Sequence, residues 1–317
     1  MEFFKEIIQT FEQNGIDCRI DDSEHTITAF KKLDYTSDYL QGNKSYDIPV
    51  TILVLPVKAT SIHQAELQNN EVRNTLKQRN SIIVSEDRWR RSNKMMRARL
   101  LAHLGIFRSV YARDCEVRKI SRAEADCFLE KNHSYGGAKC KHCYGIFLNR
   151  VRPKDHPSCL TTAREKESDI SSRQYSSLCK GELIAAAEFS NARRWNKNGK
   201  TIRSYEWIRY ASLPDLHISG GMGKILGQFI KDAQPDDIMS YADLEWSDGD
   251  VYRKLGFVND GIKSPVTFAI DTELWTRTPI ARMPVETNNI NKNKENSKYL
   301  FVQNLGSIKY RLKLTDY

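Results

Sequence analysis

The stretch Ile208–Lys224, IRYASLPDLHISGGMGK, constrains what this chain can fold into more than any other. A β-prone run rich in aromatic and branched residues passes through a polar turn into a helix opened by Gly220, Gly221 and Gly223. Glycines at such a point let a phosphate approach the backbone closely. The start of the helix adds unpaired N–H groups and the positive end of its dipole. The spacing GxxxxGK(S/T) of a P-loop is absent, and the acidic partner expected after a dinucleotide-binding glycine motif is not in its place. The stretch by itself is a generic anion cradle, and its meaning depends on its neighbours.

Those neighbours alternate between strand and helix. Cys115–Ile120 reads as a strand. Ser121 then reads as a helix cap, with Glu124 as its capping-box partner three residues on. Tyr144–Leu148, Glu182–Phe189 and Ser204–Ala211 read as strands, and Arg193–Lys200 as a basic turn between the last two. Gly220–Lys231 is the glycine-started helix, Ile238–Ala242 a strand, and Asp250–Leu255 a short helix with Gly256 as its C-cap. Phe257–Ile270 is extended. Tyr299–Leu314 is β-rich, with a turn at Leu305–Ser307, and returns to complete the sheet. Residues 149–180 are a polar insertion, and 288–298 (NNINKNKENSK) a polar linker.

The N-terminal third has its own α/β pattern. Phe3, Phe4, Ile7, Ile8 and Phe11 recur at helical spacing. Ile16–Ile20 and Thr26–Phe30 are short strands, Ile48–Val57 and Ser81–Val84 stronger ones, Gln64–Lys77 a helix, and Glu86–Leu104 a long basic helix. The expected division is a small α/β domain over 1–111 and a larger one over 112–317.

Charge and composition set the class of partner. The formal net charge is +9, which points to a polyanion, most plausibly nucleic acid. Arg90, Arg91, Lys94 and Arg97 on the basic helix, with Arg193, Arg194 and Lys197 in the basic turn, are the candidate phosphate contacts. No apolar run approaches the ~20 residues of a membrane helix. The opening MEFFKEIIQTFEQNG, with Glu2, Glu6 and Glu12 among its apolar residues, lacks the form of a signal peptide. A cytoplasmic protein without a membrane partner is expected. Seven cysteines, an odd and scattered set, argue against a disulfide framework. Cys140-Lys141-His142-Cys143 is the one close pair. Cys159 or His156 could complete a metal site with it, but free cysteines at a strand entrance are the favoured reading and no metal is assigned.

The order strand, helix, three strands, glycine-rich helix, strand, short helix, strand resembles the GNAT superfamily of acyl-CoA N-acyltransferases. The resemblance covers roughly residues 110–317. It implies a mixed central sheet flanked by helices. It also implies that Ser219, Gly220, Gly221, Met222, Gly223 and Lys224 hold the pyrophosphate of acetyl-CoA or a related acyl-CoA. The family signature begins with Gln or Arg, where this chain has Ile218. By the same resemblance, Tyr252 is the general acid toward the departing thiolate, Glu206 the general base, and an N–H at Tyr210 or Ala211 the carbonyl-oxygen donor. Asp243 and Ser247, beyond a strand end, bind substrate or cap the next helix. Arg209 and His133 are further pocket candidates, and Trp195, Trp207, Tyr210 and Trp246 are candidate stacking surfaces.

More narrowly, FLEKNHSYGG, ELIAAAEFS, YEWIRYAS, SGGMGKIL, YADLEWSDGDVYRKLGF and NLGSIKYRL resemble phage and mobile-element members of the superfamily, among them Mom-type DNA-adenine-modifying proteins. SIIVSEDRWRRSNKMMRAR resembles the end of a Vsr-like, restriction-endonuclease-type module. Asp47, Lys58, Glu66 and Glu86 are available to hold its metal, but Pro56 stands where a metal-binding acid is expected, so the region reads as a degenerate, nuclease-derived binding module that has lost its chemistry. The resemblance implies acyl transfer to an amine with nucleic acid as acceptor or docking partner. The alternatives are a non-catalytic DNA- or RNA-binding protein on a degenerate GNAT fold, and a metal-dependent nuclease acting through residues 1–110.

Overall fold

The computed structural model describes residues 2–21, 25–30, 49–76, 81–151, 177–283 and 298–317. In chain order the elements begin with α1 (Glu2–Glu12), β1 (Cys18–Asp21), β2 (Thr26–Phe30), β3 (Pro49–Leu55), α2 (Ile62–Thr75), β4 (Ser81–Ser85), α3 (Glu86–Arg91) and α4 (Asn93–His103). They continue with β5 (Arg108–Tyr111), β6 (Cys115–Lys119), α5 (Arg122–Asn132), β7 (His142–Leu148), β8 (Leu183–Phe189), β9 (Arg193–Lys197), β10 (Lys200–Ser212) and β11 (Leu216–Ser219). The last are α6 (Gly221–Ala233), β12 (Asp237–Asp243), α7 (Asp250–Lys254), β13 (Val258–Lys263), β14 (Thr267–Asp271), β15 (Arg277–Pro279), β16 (Tyr299–Gln303) and β17 (Ser307–Lys313). No described helix is long and apolar enough to cross a membrane. Asp47, most of the 149–180 insertion and all but Lys298 of the polar linker lie outside the described residues.

The chain forms two compact units, and neither is a continuous stretch. The first comprises Met1–Gly105, Ala242–Asp250 and Gly261–Lys309; the second comprises Ile106–Tyr241, Val251–Asp260 and Tyr310–Tyr317. The sequence reading drew one boundary near 111 and assigned everything after it to the second domain. The structure instead returns 242–250 and 261–309 to the first unit, and side-chain chemistry explains why.

In the first unit, β1, β2 and β3 are antiparallel neighbours and β4 joins β3 in parallel. A separate antiparallel sheet runs β15-β14-β16. One core holds Leu53, Leu55 and Ile83 from the N-terminal strands with Phe268, Ile270 and Val302 from the later ones. Asn69 on α2 donates its amide to Gln303 and Asn304, and Arg73 donates to the Leu305 carbonyl. The basic segment is two helices, α3 and α4, broken at Ser92 (φ −137°). Trp89 is buried against Phe3 of α1 and donates its indole N–H to Glu6.

Behind α3 lies a buried ion network. Arg277 makes a two-pronged pair with Asp87 and donates to Ser85 Oγ at 2.8 Å. Arg88 Nη1 reaches Glu245 at 2.9 Å and Asp243 at 3.2 Å. Burial alone would raise the Asp87 carboxyl. The guanidinium of Arg277, with help from Arg88 and Ser85, outweighs it and holds Asp87 below the ordinary carboxylate range.

In the second unit the main sheet has the order β13-β17-β12-β10-β8-β7-β6, with β9 also on β10. The β6/β7, β7/β8 and β8/β10 pairs are antiparallel, and β10/β12 is parallel. The domain boundary divides β12, β13 and β17, which contribute Asp237–Tyr241, Val258–Asp260 and Tyr310–Lys313 to this unit. The protein is thus mixed α/β with a mixed central sheet flanked by helices. The segment read as a basic turn is a hairpin. Lys197 faces Lys200 across Asn198 (φ 51°) and Gly199 (φ 76°), the left-handed pair that a two-residue turn demands.

Helix α6 is held to the sheet by aromatic stacking. The Phe229 ring stacks on Phe189 at 3.9 Å, nearly parallel to it, with Tyr144, Tyr205 and His142 meeting it edge-on. Phe229→Ala is expected to cost about 3–5 kcal/mol, read from the urea midpoint at unchanged slope. Arg277→Met leaves Asp87 buried without its partner and is expected to cost about 3–5 kcal/mol at neutral pH. A lowered carboxyl stabilises the fold above its unfolded pKa of about 3.9 and loses that contribution as pH falls through the lower folded value. The gap between wild type and variant should therefore be widest at neutral pH and should narrow as pH falls toward and below about 3.9, as urea unfolding at both ends would show.

Candidate active site

The site is built around an opening in the sheet. Strand β10 is paired along one edge by β9 and then β8. Its other edge meets β12 in register only at Ser204, Tyr205 and Glu206, opposite Asp237, Ile238 and Met239. Past those three pairs the two strands have no register partners in common. The cause lies in β10 itself. Its register to β8 shifts between Trp207 and Arg209, so Ile208 is the extra residue of a bulge, and a bulge bends and twists the strand that carries it. Local bonds hold the bend: the Trp207 indole donates to the Arg209 carbonyl at 3.0 Å, and Arg209 Nη1 donates to the Ile208 carbonyl at 2.9 Å.

Ser240 fills the first gap of the opening. Its hydroxyl lies 2.9 Å from the Trp207 carbonyl and 2.8 Å from the Tyr252 hydroxyl. A serine has one proton and a carbonyl can only accept. Ser240 therefore donates to Trp207 and accepts from Tyr252, which fixes the direction of the tyrosine proton. Burial pushes the Tyr252 hydroxyl above its ordinary range. The Tyr252 ring stacks on Tyr310 at 5.3 Å and meets Phe257 edge-on.

The glycine-rich turn stands beside this opening. Gly220 caps α6 with φ 77°, and the first intrahelical bond runs from Lys224 N–H to the Gly220 carbonyl. The amides of Gly221, Met222 and Gly223 precede that bond and are the orphan donors of the helix start. A Cβ on Gly221 would lie 2.8 Å from Ile218 Cγ2 and 3.0 Å from the Tyr210 hydroxyl. A Cβ on Gly223 would lie 3.4 Å from Leu255 Cδ2. Leu255 follows Tyr252 by one helical turn, so the amides, Tyr252 and the strand opening share one end of the sheet.

The sequence candidates divide accordingly. Tyr210 touches the turn at Gly221, and Leu255, one turn on from Tyr252, meets it at Gly223, while the Ala211 side chain packs with Phe128, Leu129 and Ala186. Glu206 is half-buried at the last register pair before the strands part. Lys224 does not face the cradle: its ammonium donates to the carbonyls of Ala112 (2.8 Å) and Cys115. Ile218 is buried in β11, which pairs in parallel with β5. Asp243 belongs to the first unit, where it accepts from Arg88 and from the Glu245 N–H. Burial would raise its carboxyl, but Arg88 and Arg99 hold it low. Ser247, also in the first unit, accepts from the Gly249 N–H in a turn. Asp243 is thus an ion partner of Arg88, and Ser247 caps a turn. Ser240 was missed by the sequence reading, because a lone serine inside a strand carries no signal.

Of the phosphate-contact candidates, Arg90 pairs with Glu6, and Arg97 lies over the Trp89 ring at 5.6 Å. Arg91 and Lys94 are exposed. All of β9 is exposed, including Arg193, Arg194, Trp195 and Lys197. Arg209 lies over Tyr135, and the His133 ring nitrogen accepts the Tyr135 N–H. Trp246 is buried in the first unit beneath Arg99. Of the nuclease candidates, Glu86 accepts the Val57 N–H at 3.2 Å, while Lys58 and Glu66 are exposed. Among the described residues, neither glutamate belongs to a group placed to share a metal.

No protein-family model matches the sequence, and no curated protein matches it. The chain is similar to several solved structures. One is the spermidine/spermine N-acetyltransferase SpeG from Vibrio cholerae in complex with manganese ions, at 9% identity over 64% of this chain and 94% of that one, TM-score 0.31. Another is a Bacillus subtilis acetyltransferase in complex with CoA, at 12% identity over 63% and 98%, TM-score 0.30. A third is Eis1 from Mycobacterium abscessus, at 17% identity over 50% of this chain but only 34% of its own, TM-score 0.29.

Two glycines in one helix test the packing of the cradle. Gly221→Ala drives a methyl into Ile218 and is expected to destabilise by about 1–3 kcal/mol. Gly227, in the same helix with nothing within 4 Å of an added Cβ, should give the opposite sign, about 0.5–1 kcal/mol of stabilisation as Gly227→Ala. Thermal melts of both variants would show this.

Proposed function

We propose that this protein is an acyl-CoA-dependent N-acyltransferase whose acceptor is an amine carried by nucleic acid. One observation carries the reading: the orphan amides of Gly221–Gly223 stand beside a bulge-driven parting of two parallel strands, with the Tyr252 hydroxyl at the same end. The chain order of strands and helices around it, as read from the sequence, supports the same assignment.

The residues fit a diphosphate. The space over Gly221 is closed to a side chain from beneath, which leaves the amides as the ligating groups. Neither Lys224 nor Ile218 supplies a charge there, so binding rests on main-chain donors and the helix dipole. Acetyl-CoA or a related acyl-CoA would supply the acyl group as a thioester. Glu206 takes the proton of the incoming amine as its nitrogen bonds to the acyl carbon. An N–H at Tyr210 or Ala211 faces the oxygen on which negative charge builds. Tyr252, protonated through the neutral range because burial raises it, gives its proton to the sulfur as the carbon–sulfur bond breaks. To do so its hydroxyl turns away from Ser240.

The acceptor class rests on β9. Alternation along the strand puts Arg193, Trp195 and Lys197 on one face. Trp195 meets Tyr317 edge-on at 5.5 Å, and Lys197 lies 5.3 Å from that ring. Exposed cations interleaved with aromatic rings suit a single-stranded or flipped base and its phosphates, in keeping with the Mom-type resemblance.

Acetyl-CoA at a hundredfold excess over its Kd should stabilise the protein by about 2.7 kcal/mol. Tyr252→Phe should keep that shift while kcat falls by about 10²-fold or more. Mass spectrometry of DNA and RNA from cells expressing wild type and Tyr252→Phe would identify the modified base. Absence of any acyl-CoA-induced shift, with salt-sensitive DNA binding intact, would replace this reading with that of a non-catalytic nucleic-acid-binding protein.

A further inference from the structure

Away from the acyl site, three side chains of the second unit converge where β7 begins. Cys143 of β7 and Glu188 of β8 are direct cross-strand partners. Cys140, just before the strand, brings its sulfur to 3.3 Å from that of Cys143. One ligand atom from each of Cys140, Cys143 and Glu188 lies within 4.8 Å of the others, the one such group among the described residues.

Glu188 is fully buried, and Cys143 is 6% exposed. Glu188 Oε2 accepts the Ala138 N–H at 2.9 Å, while its buried Oε1 meets no N–H or O–H donor and the carboxylate is otherwise answered only by the Cys140 thiol and the Asp126 carboxyl. A buried carboxylate oxygen left with a weak thiol donor beside a second carboxyl is costly and calls for a cation. Asp126 of α5 stands beside the group: a Cβ on Gly137 would touch its Oδ1 at 2.2 Å, and its charge acts on both Glu188 and Cys143. The nearby cations act on the group by charge but give their N–H groups to other acceptors. Arg122 pairs with Asp126 at 3.3 Å, and Arg209 donates to the carbonyls of Gly136 and Ile208.

We propose that Cys140, Cys143 and Glu188 form a tetrahedral site for a thiophilic divalent cation of the zinc type, with Asp126 or a water as the fourth ligand. Two thiolates and a carboxylate are a donor set that selects such an ion over calcium or magnesium. Sulfurs bound at about 2.3 Å to a tetrahedral ion stand about 3.8 Å apart, so half an ångström of side-chain motion suffices. Each thiol passes its proton to solvent as its sulfur–metal bond forms, and no electron is transferred. From sequence, free cysteines are the favoured reading here, and Cys159 or His156, the candidates to complete a site, lie outside the described residues. The completing ligand is instead Glu188, which also faces Arg209 at the edge of the β10 bulge. The ion would pin the crossover between α5 and β7 to the strand against which the bulge is registered.

The test is metal content of the full chain, purified without chelator or a metal-affinity step. About one zinc per chain is expected. The chelated protein, given one equivalent of cobalt(II), should show thiolate-to-cobalt charge transfer and the ligand-field bands of a tetrahedral ion. Cys140→Ser, Cys143→Ser and Glu188→Gln should each weaken zinc binding by about a hundredfold or more, while Cys127→Ser and Cys179→Ser leave it unchanged. Circular dichroism separates lost ligation from lost folding, and the cobalt spectrum of wild type decides the matter should a ligand variant fail to fold. Folded wild type with neither zinc nor a cobalt spectrum would overturn the proposal, as would a Cys140–Cys143 disulfide in the isolated chain, or undiminished zinc in the folded Cys140→Ser and Cys143→Ser variants.

Discussion

The two edges of β10 are unequal, and the architecture of the second unit follows from that. One edge is sealed along its length by β9 and β8; the other is shared with β12 for only three residues. A single extra residue, Ile208, sets where sealing gives way to opening. Because side chains alternate along a strand, the bulge also resets which residues face which side beyond it. Trp207 is buried on one side of the irregularity, while Arg209 pairs opposite Glu188 on the other. Helix α6, clamped by Phe229 against Phe189, then has its N-terminus fixed near the gap rather than free to drift.

Much of this was legible in the sequence because it is encoded locally. The apolar stripe of α1, the strand Thr26–Phe30 and the capping box of Ser121 and Glu124 all formed as read. So did the glycine opening of α6. Each depends on residues within a turn or two of one another. The Asn198-Gly199 turn is equally local: it lies within the basic turn expected over Arg193–Lys200, whose flanks pair as β9 and β10.

What could not be read was partnership across long stretches of chain. Arg88 meets Asp243 across 155 residues, and Arg277 meets Asp87 across 190. An acid beyond a strand end looks the same in sequence whether it awaits a substrate or neutralises a buried arginine. Asp243 proved to be the second kind, and with it 242–250 left the domain to which order alone assigned them. Lys224 is a related case. A lysine at a glycine-rich helix start suggests a phosphate ligand, yet its ammonium is drawn to two backbone carbonyls at the entrance to the first strand of the sheet. Glu188 is the reverse: an acid inside an apolar strand, passed over in the sequence, whose meaning comes only from the cysteine that faces it.

The contact between Ile218 and Gly221 has a broader meaning. The donors at the start of α6 belong to the peptide backbone, so they are indifferent to the identity of the side chains around them. Mutation can rewrite the letters of such a motif while leaving its electrostatics untouched, provided the one position pressed against Ile218 stays without a side chain. Such a helix start therefore keeps the same orphan amides whatever side chains flank it.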